Sequence, residues 1–74
     1  MERRQLEYFV AVVDQGGFGR ASEAVHVTQP SLSQAIAALE KDLGVTLFHR
    51  LGRKVKLTAA GEALLAPEIG RAHV

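Results

Sequence analysis

Two short segments of the chain carry side chains whose types and spacing suit binding chemistry. The first is a mostly polar run where a helix should begin: Thr28, Gln29, Pro30, Ser31, Ser33 and Gln34. Amide side chains both donate and accept hydrogen bonds, so Gln29 and Gln34 can match the N6 and N7 edge of an adenine. Hydroxyl groups can reach a base edge or a phosphate, and Pro30 offers an apolar surface to a thymine methyl. This chemistry suits the major groove of duplex DNA.

The second segment is basic, with Arg50, Arg53, Lys54 and Lys56 in a stretch that contains no acid. The net charge of the chain is only +1, but residues 1–44 sum to −2 and residues 45–74 to +3. A local positive patch on a near-neutral protein indicates a phosphate-binding surface. We expect these side chains to contact the DNA backbone or minor groove, with Arg53, beside a turn, as the first choice for the minor groove.

Apolar periodicity predicts three helices, over about residues 3–14, 18–25 and 28–43. The inward stripe of the first helix is predicted to be Leu6, Phe9, Val10 and Val13, and that of the third Leu32, Ile36, Leu39 and Leu43. Thr28 can cap the third helix, Pro30 falls in its first turn, and Gly44 ends it. With one Tyr and three Phe in the chain, we expect an aliphatic core.

The pattern after Gly44 changes to alternation, which is typical of strands. Strands are predicted at 47–50 and 54–57, with Gly52 in the turn between them taking a positive φ. A two-stranded hairpin is marginal alone, so Leu47, Val55 and Leu57 should pack on the helices. Thr58 can cap a fourth helix that runs to Ala66, before Pro67.

Composition excludes several classes of protein. The chain has 74 residues, room for one small domain, and no cysteine, so disulfides and thiolate metal sites are excluded. No signal peptide or membrane-spanning stretch is evident, and we expect a cytoplasmic protein without membrane contact. His26, His49 and His73 lack metal-ligand spacing, and no nucleophile–base set is apparent. We therefore predict no enzyme activity, no catalytic residue, no metal and no cofactor.

Residues 68–74, Glu-Ile-Gly-Arg-Ala-His-Val, show no apolar periodicity. They match one reading frame of a common DNA sequencing adapter, which predicts a non-native tail fused to a truncated reading frame. Resequencing of the locus should then show a different, longer continuation near Pro67.

Five linked motifs closely resemble the N-terminal domain of LysR-type transcriptional regulators. They are Leu6-Glu7-Tyr8-Phe9-Val10-Ala11-Val12, Gly17-Phe18-Gly19-Arg20-Ala21-Ser22, Val27-Thr28-Gln29-Pro30-Ser31-Leu32-Ser33, Leu39-Glu40-Lys41-Asp42-Leu43-Gly44-Val45-Thr46-Leu47-Phe48-His49-Arg50 and Leu57-Thr58-Ala59-Ala60-Gly61. The resemblance covers about residues 3–66. It implies a mainly α, winged helix-turn-helix fold: a three-helix core, a two-stranded β-hairpin wing and the start of a linker helix. The implied boundaries are 1–58 for the DNA-binding domain and 59–67 for the truncated linker or dimerisation helix.

The resemblance also implies a function, that of a sequence-specific transcriptional regulator. By resemblance, the complete protein would bind an interrupted palindrome in double-stranded DNA as a homodimer or tetramer. A small-molecule effector would act through a C-terminal domain that is missing from this chain. Two departures stand out: Gly17 and Gly19 replace the hydroxyl side chains usual around Phe18, and Gln34, Ala37 and Ala38 make the third helix less basic. We therefore expect fewer phosphate and guanine contacts from that helix.

Simpler interpretations stay open at this point. Gln29 and Gln34 are compatible with ordinary solvated side chains, and Lys54 and Lys56 with a solvated hairpin face. Arg50 is as well placed for an ion pair with Glu40 or Asp42 as for DNA. The alternative functions are a winged-helix module that binds protein, an enzyme fragment, and a member of another winged-helix repressor family.

Overall fold

Three helices precede a hairpin, which is followed by a fourth helix. The elements are α1 (Arg3–Gln15), α2 (Phe18–Ala24), α3 (Gln29–Leu43), β1 (Phe48–Leu51) and β2 (Lys54–Leu57), and residues 59–65 form the described part of α4. This computed structural model describes residues 1–65, so Ala66, Pro67 and the predicted tail at 68–74 lie outside the described residues. The predicted mainly α, winged helix-turn-helix fold is confirmed. No helix within residues 1–65 has the length and apolar character needed to cross a membrane.

The buried stripe of α1 differs from the prediction. Its buried residues are Gln5, Phe9 and Val12, at spacings of four and three, whereas Val10 is 38% exposed. Gln5 is buried because its side chain serves the helix itself: its Oε1 accepts a hydrogen bond of 2.9 Å from the Glu2 N–H. The prediction that placed Val10 on the inner face is therefore wrong.

The ends of α3 follow the predicted signals. Thr28 Oγ1 accepts a hydrogen bond of 3.2 Å from the Ser31 N–H, which confirms the N-cap. At the other end Gly44 takes φ 72°, and its N–H donates to the Glu40 carbonyl at 2.8 Å. Leu32, Ile36 and Leu39 are fully buried, but Leu43 is 38% exposed, so its place in the predicted stripe is wrong. The last turn of α3 extends beyond the layer against which the stripe packs.

The hairpin pairs antiparallel with Phe48 opposite Leu57 and Leu51 opposite Lys54, and Gly52 in the turn takes φ 66° as predicted. The second strand is confirmed, whereas the first lies one residue later than predicted. Leu47 stays outside the ladder because other groups take its backbone: its N–H donates to a Glu40 carboxylate oxygen at 2.7 Å. Its carbonyl accepts from the Thr58 N–H at 3.0 Å.

Most of the buried hydrophobic residues are aliphatic, as expected, but three phenylalanine rings also pack on one another in the core. Phe48 of β1 lies between Phe9 of α1 and Phe18 of α2, with ring centroids 5.3 Å and 5.9 Å away. Both separations fall in the range where aromatic pairs attract beyond their simple burial. Because Phe48 belongs to the hairpin and the other two rings to α1 and α2, these contacts join the wing to the helical core.

The turn between α2 and α3 contains a strained residue. His26 takes φ 60°, the single positive φ outside glycine in the described residues. A non-glycine residue in this region costs about 1 kcal/mol or more. We expect His26→Gly to raise the free energy of unfolding by about 0.5–1 kcal/mol, since relief of strain exceeds the greater chain entropy of glycine.

Urea unfolding measures this change, and Gly44→Ala is the matched control. A Cβ on Gly44 meets nothing within 4 Å, so this variant isolates the cost of a side chain at positive φ. We expect Gly44→Ala to lower stability by about 1 kcal/mol. A less stable His26→Gly protein would show that the histidine side chain itself stabilises the turn.

Candidate nucleic-acid interface

One groove brings together residues that are far apart in the sequence. It has a volume of about 890 Å³ and lies between the α1–α2 turn, the start of α3 and the wing. Four of the predicted DNA-binding residues line it: Gln29, Arg50, Arg53 and Lys54. The groove therefore connects the front end of the recognition helix with the basic hairpin, as a winged helix-turn-helix site requires.

The front end of α3 presents most of its predicted contact residues to solvent. Thr28, Gln29, Pro30, Ser31 and Gln34 are exposed, and Ser33 is half-buried. The Thr28 hydroxyl is committed to the helix cap, because it accepts from the Ser31 N–H and also donates to Ser31 Oγ at 2.9 Å. The buried residues Leu32, Ile36 and Leu39 occupy the opposite face. This arrangement leaves Gln29, Pro30, Ser31 and Gln34 as the free surface of the first turns.

The wing is held against the turn between α1 and α2. The Val55 N–H donates to the Gly16 carbonyl at 3.3 Å. A Cβ built on Gly17 would lie only 2.9 Å from the Arg53 carbonyl oxygen, so a side chain here would force the turn and the tip of the wing apart. Gly17, one of the departures from the LysR pattern, thus allows a close backbone approach.

Arg50 does not form the ion pair that the sequence left open. Its guanidinium lies 4.3 Å from the centroid of the Phe18 ring, a distance suited to a cation–π interaction. The Glu40 carboxylate instead accepts from the Leu47 N–H, and Asp42 lies 4.0 Å from the amino terminus. The alternative of an ion pair between Arg50 and Glu40 or Asp42 is therefore wrong.

Not all of the basic side chains of the hairpin line the groove. Lys54 lines it, whereas Lys56, opposite His49 in the ladder, does not. This division keeps the solvated-face interpretation for Lys56 and weakens it for Lys54.

Among the lining residues that were not predicted, two have polar side chains, Arg20 and Gln15. Arg20 lies on the exposed face of α2, while Phe18, Ala21 and Ser22 are buried. That spacing was visible in the sequence and could have identified Arg20. Gln15 enters the groove because the chain turns at Gly16 and Gly17; the two glycines indicate the end of the helix but not the groove beside it.

The charge in the groove is of one sign. Arg20, Arg50, Arg53 and Lys54 line it together with neutral residues, and none of the lining residues is acidic. The two ion pairs found in residues 1–65, Met1 with Asp42 and Arg3 with Glu7, lie elsewhere. Residues 1–65 also contain no cluster of three His, Cys, Asp or Glu side chains that could hold a metal ion. An uncompensated positive groove favours a polyanion.

Comparison with known proteins agrees with this geometry. The profile described as "Bacterial regulatory helix-turn-helix protein, lysR family" matches residues 3–62. The chain belongs to this family. The LysR membership excludes another winged-helix family.

Three similar proteins illustrate the LysR relationship. The chain is 55% identical over 65 residues to the HTH-type transcriptional regulator TfdT of Cupriavidus pinatubonensis (strain JMP 134 / LMG 1197), covering 88% of this chain. It superposes on the CbnR DNA-binding domain in a DNA complex with a TM-score of 0.85 and 43% identity, over 99% of this chain and 91% of that one. For the BenM DNA-binding domain in complex with catB site 1 DNA, the TM-score is 0.86 and the identity 40%, over 99% of this chain and 82% of that one.

The chain is much shorter than full-length LysR-type regulators. The matched segment spans 28% of the length of TfdT. The part present corresponds to the winged helix-turn-helix domain.

Proposed function

We propose that the chain is the DNA-binding part of a LysR-type transcriptional regulator and binds one half-site of duplex DNA. The observation that carries this proposal is the groove in which Gln29 of the recognition helix meets Arg50, Arg53 and Lys54 of the wing, with no acid among the lining residues. The CbnR and BenM domains, which have the same fold at 43% and 40% identity, are described in complexes with DNA. Those complexes support duplex DNA over a protein partner.

The recognition helix would read base edges in the major groove. Gln29 and Gln34 would pair with adenine, Pro30 would contact a thymine methyl, and Ser31 and Ser33 would bind a base edge or a phosphate. Because the Thr28 hydroxyl is used in the helix cap, we assign it a positional role, with any DNA contact secondary. Arg53 and Lys54 would hold the wing to the minor groove or the backbone.

The remaining proposals concern the complete protein. We propose a DNA-binding domain at residues 1–58 and a linker or dimerisation helix beginning at 59–67, with residues 68–74 non-native. The complete regulator would act in the cytoplasm as a homodimer or tetramer that responds to a small-molecule effector through a further domain. A lone domain contacts one half-site, so dimerisation would raise its affinity by supplying the second contact.

The salt dependence of DNA binding tests the proposal. If about three phosphates are neutralised, the logarithm of affinity should fall with the logarithm of salt concentration with a slope of roughly −3. Between about 50 and about 200 mM salt, affinity should drop roughly 60-fold. Fluorescence anisotropy with a short labelled duplex measures the slope. Absence of binding at the lowest salt would contradict the proposal and favour a protein-binding module.

Gln29→Ala should change sequence preference more than general affinity, since glutamine reads a base while cations bind phosphates. Selection from random duplexes, with the chain fused to an added dimerisation helix, gives the preferred base at each position. We expect preference at one position to relax, a loss of about 1–3 kcal/mol in discrimination. Lys54→Gln is the contrasting variant, because it should weaken binding to all sequences alike. An unchanged preference would remove Gln29 from the readers.

A further inference from the structure

We propose that Arg20 of α2 and Arg50 of the wing bind the same DNA phosphate, and that Phe18 is a positioning residue that holds Arg50 for this contact. The proposal rests on the proposed function and names a specific contact within it. It assigns a DNA-binding role to Arg20, which the sequence pattern did not identify, and an indirect role to a core aromatic residue. Three features support this contact: the positions of the two arginines, the orientation of Arg50, and the charge of the groove.

The two arginines lie on one groove. Arg20 and Arg50 belong to different elements, a helix and a hairpin, yet both side chains line the same groove. Gly16, Gly17 and Gly19 line it as well, and these three positions contribute no side chain to the groove. A Cβ on Gly19 would meet only Gln29 Oε1, at 3.7 Å, and one on Gly16 would meet nothing within 4 Å. The groove therefore has open space beside Gly16 and Gly19, where a backbone phosphate could approach.

Contact with the Phe18 ring orients the Arg50 side chain. The guanidinium of Arg50 lies 4.3 Å from the centroid of Phe18. Phe18 is only 6% exposed, and its ring meets Phe48 edge-on with centroids 5.9 Å apart. A cation–π interaction occupies the face of the guanidinium and leaves the N–H groups at its edge free to donate. Phe18 thereby fixes an otherwise flexible side chain before DNA arrives, which lowers the entropy lost on binding.

The charges of the groove favour a shared anion. Neither Arg20 nor Arg50 forms an ion pair within residues 1–65, and no acid lines the groove. Two guanidinium groups on one groove repel each other unless an anion lies between them. Arginine matches the geometry of phosphate oxygens through paired N–H donors. One phosphodiester bridging α2 and the wing would satisfy both side chains and fix the wing relative to the recognition helix.

A double-mutant cycle on the 74-residue chain tests the shared phosphate. Affinity for a short duplex at low salt is measured for Arg20→Gln, Arg50→Gln and the double variant, with thermal unfolding as a check on folding. Each single variant should bind about fivefold more weakly, since it loses a charge-assisted hydrogen bond at an exposed site. The double variant should lose clearly less than the product of the single losses, because one phosphate is involved. Arg4→Gln, at the opposite end of α1, is the charge-matched control and should bind as the wild type does.

Losses that multiply in the double variant would assign the two arginines to separate phosphates and overturn the proposal. So would an Arg20→Gln variant with wild-type affinity. These outcomes differ from failure of the proposed function, in which the wild-type chain itself would not bind duplex DNA.

The positioning role of Phe18 needs a separate test. Phe18→Leu keeps an apolar side chain but removes the ring, and a folded variant should bind about threefold more weakly with little change in its salt slope, because no charge is lost. Arg50→Lys decides the matter if Phe18→Leu does not fold: it keeps the charge but lacks the planar stack, and should also bind about threefold more weakly. Wild-type affinity in Arg50→Lys, or in a folded Phe18→Leu protein, would refute the positioning role.

Discussion

Phe48→Ala is expected to lower the free energy of unfolding by about 3–5 kcal/mol, the range for truncating a buried aromatic residue. Phe48 is 4% exposed and contacts both other rings of the core, at 5.3 Å from Phe9 and 5.9 Å from Phe18. Its removal leaves a cavity at the place where the wing joins the helices, and two aromatic pairs are lost together. In a chain of 74 residues, such a loss approaches the whole stability of the domain.

Urea or thermal unfolding, followed by circular dichroism, measures this loss. Leu51→Ala is the matched control, since Leu51 lies in the same strand but is 61% exposed. We expect that variant to remain within about 0.5 kcal/mol of the wild type. A loss below about 1.5 kcal/mol for Phe48→Ala would show that the wing contributes little to the core.

The ends of the helices could be predicted because each depends on groups close in the sequence. Thr28 caps α3 through a residue three positions later, and the Thr58 Oγ1 accepts from the Gly61 N–H at 3.0 Å in the same way. Gly44 and Gly52 take the predicted positive φ at a helix end and a turn. These interactions need no knowledge of the rest of the fold.

The errors arise where burial depends on the particular partner that a side chain meets, whether near or far along the chain. Gln5 replaces Val10 on the inner face of α1 because a capping hydrogen bond satisfies its amide there. Leu43 is exposed because nothing within residues 1–65 covers the last turn of α3 sufficiently. Arg50 contacts Phe18, more than thirty positions away, rather than the nearby acids. A periodic pattern indicates which residues are apolar but not which neighbour each one meets.

The candidate site could likewise be predicted only in part from the sequence. The polar front of α3 and the basic hairpin could be recognised as separate segments from composition alone. Their union in one groove depends on the contact between Val55 and Gly16 and on the close approach of Arg53 to Gly17. Arg20 joins the site through that union, although the spacing of the apolar residues of α2 already placed it on the exposed face of that helix.

Hydrogen bonds of one short segment, between α3 and β1, connect the wing to α4. The Leu47 N–H donates to Glu40, and its carbonyl accepts from Thr58, whose hydroxyl in turn donates to the Thr46 carbonyl. Leu47 itself is fully buried. The end of α3, the start of the wing and the start of α4 are thus fixed to one another, and any substitution that separates them should affect both stability and the DNA-binding groove.

Gly61→Ala should separate α4 from the wing. A Cβ on Gly61 would lie 2.7 Å from Leu57 Cδ2 and still closer to the Leu47 carbonyl oxygen, a backbone atom that cannot move without displacing the strand. Alanine favours helix over glycine by about 1 kcal/mol, but the clash opposes this gain and exceeds it. We expect a net loss of about 3 kcal/mol in the free energy of unfolding, with a fall of more than about 10 °C in Tm.

Gly19→Ala tests whether the clash, rather than the substitution type, causes that loss. Gly19 is also helical, but its added Cβ would make only an ordinary contact, at 3.7 Å from Gln29 Oε1. The same change should therefore leave stability unaltered or raise it by up to about 1 kcal/mol. A loss of stability for Gly61→Ala, without a loss for Gly19→Ala, in a urea titration would establish that α4 packs directly on the Leu47 carbonyl. A Gly61→Ala protein as stable as the wild type would mean that α4 can move away from the wing at little cost, and the two elements would then act independently in DNA binding.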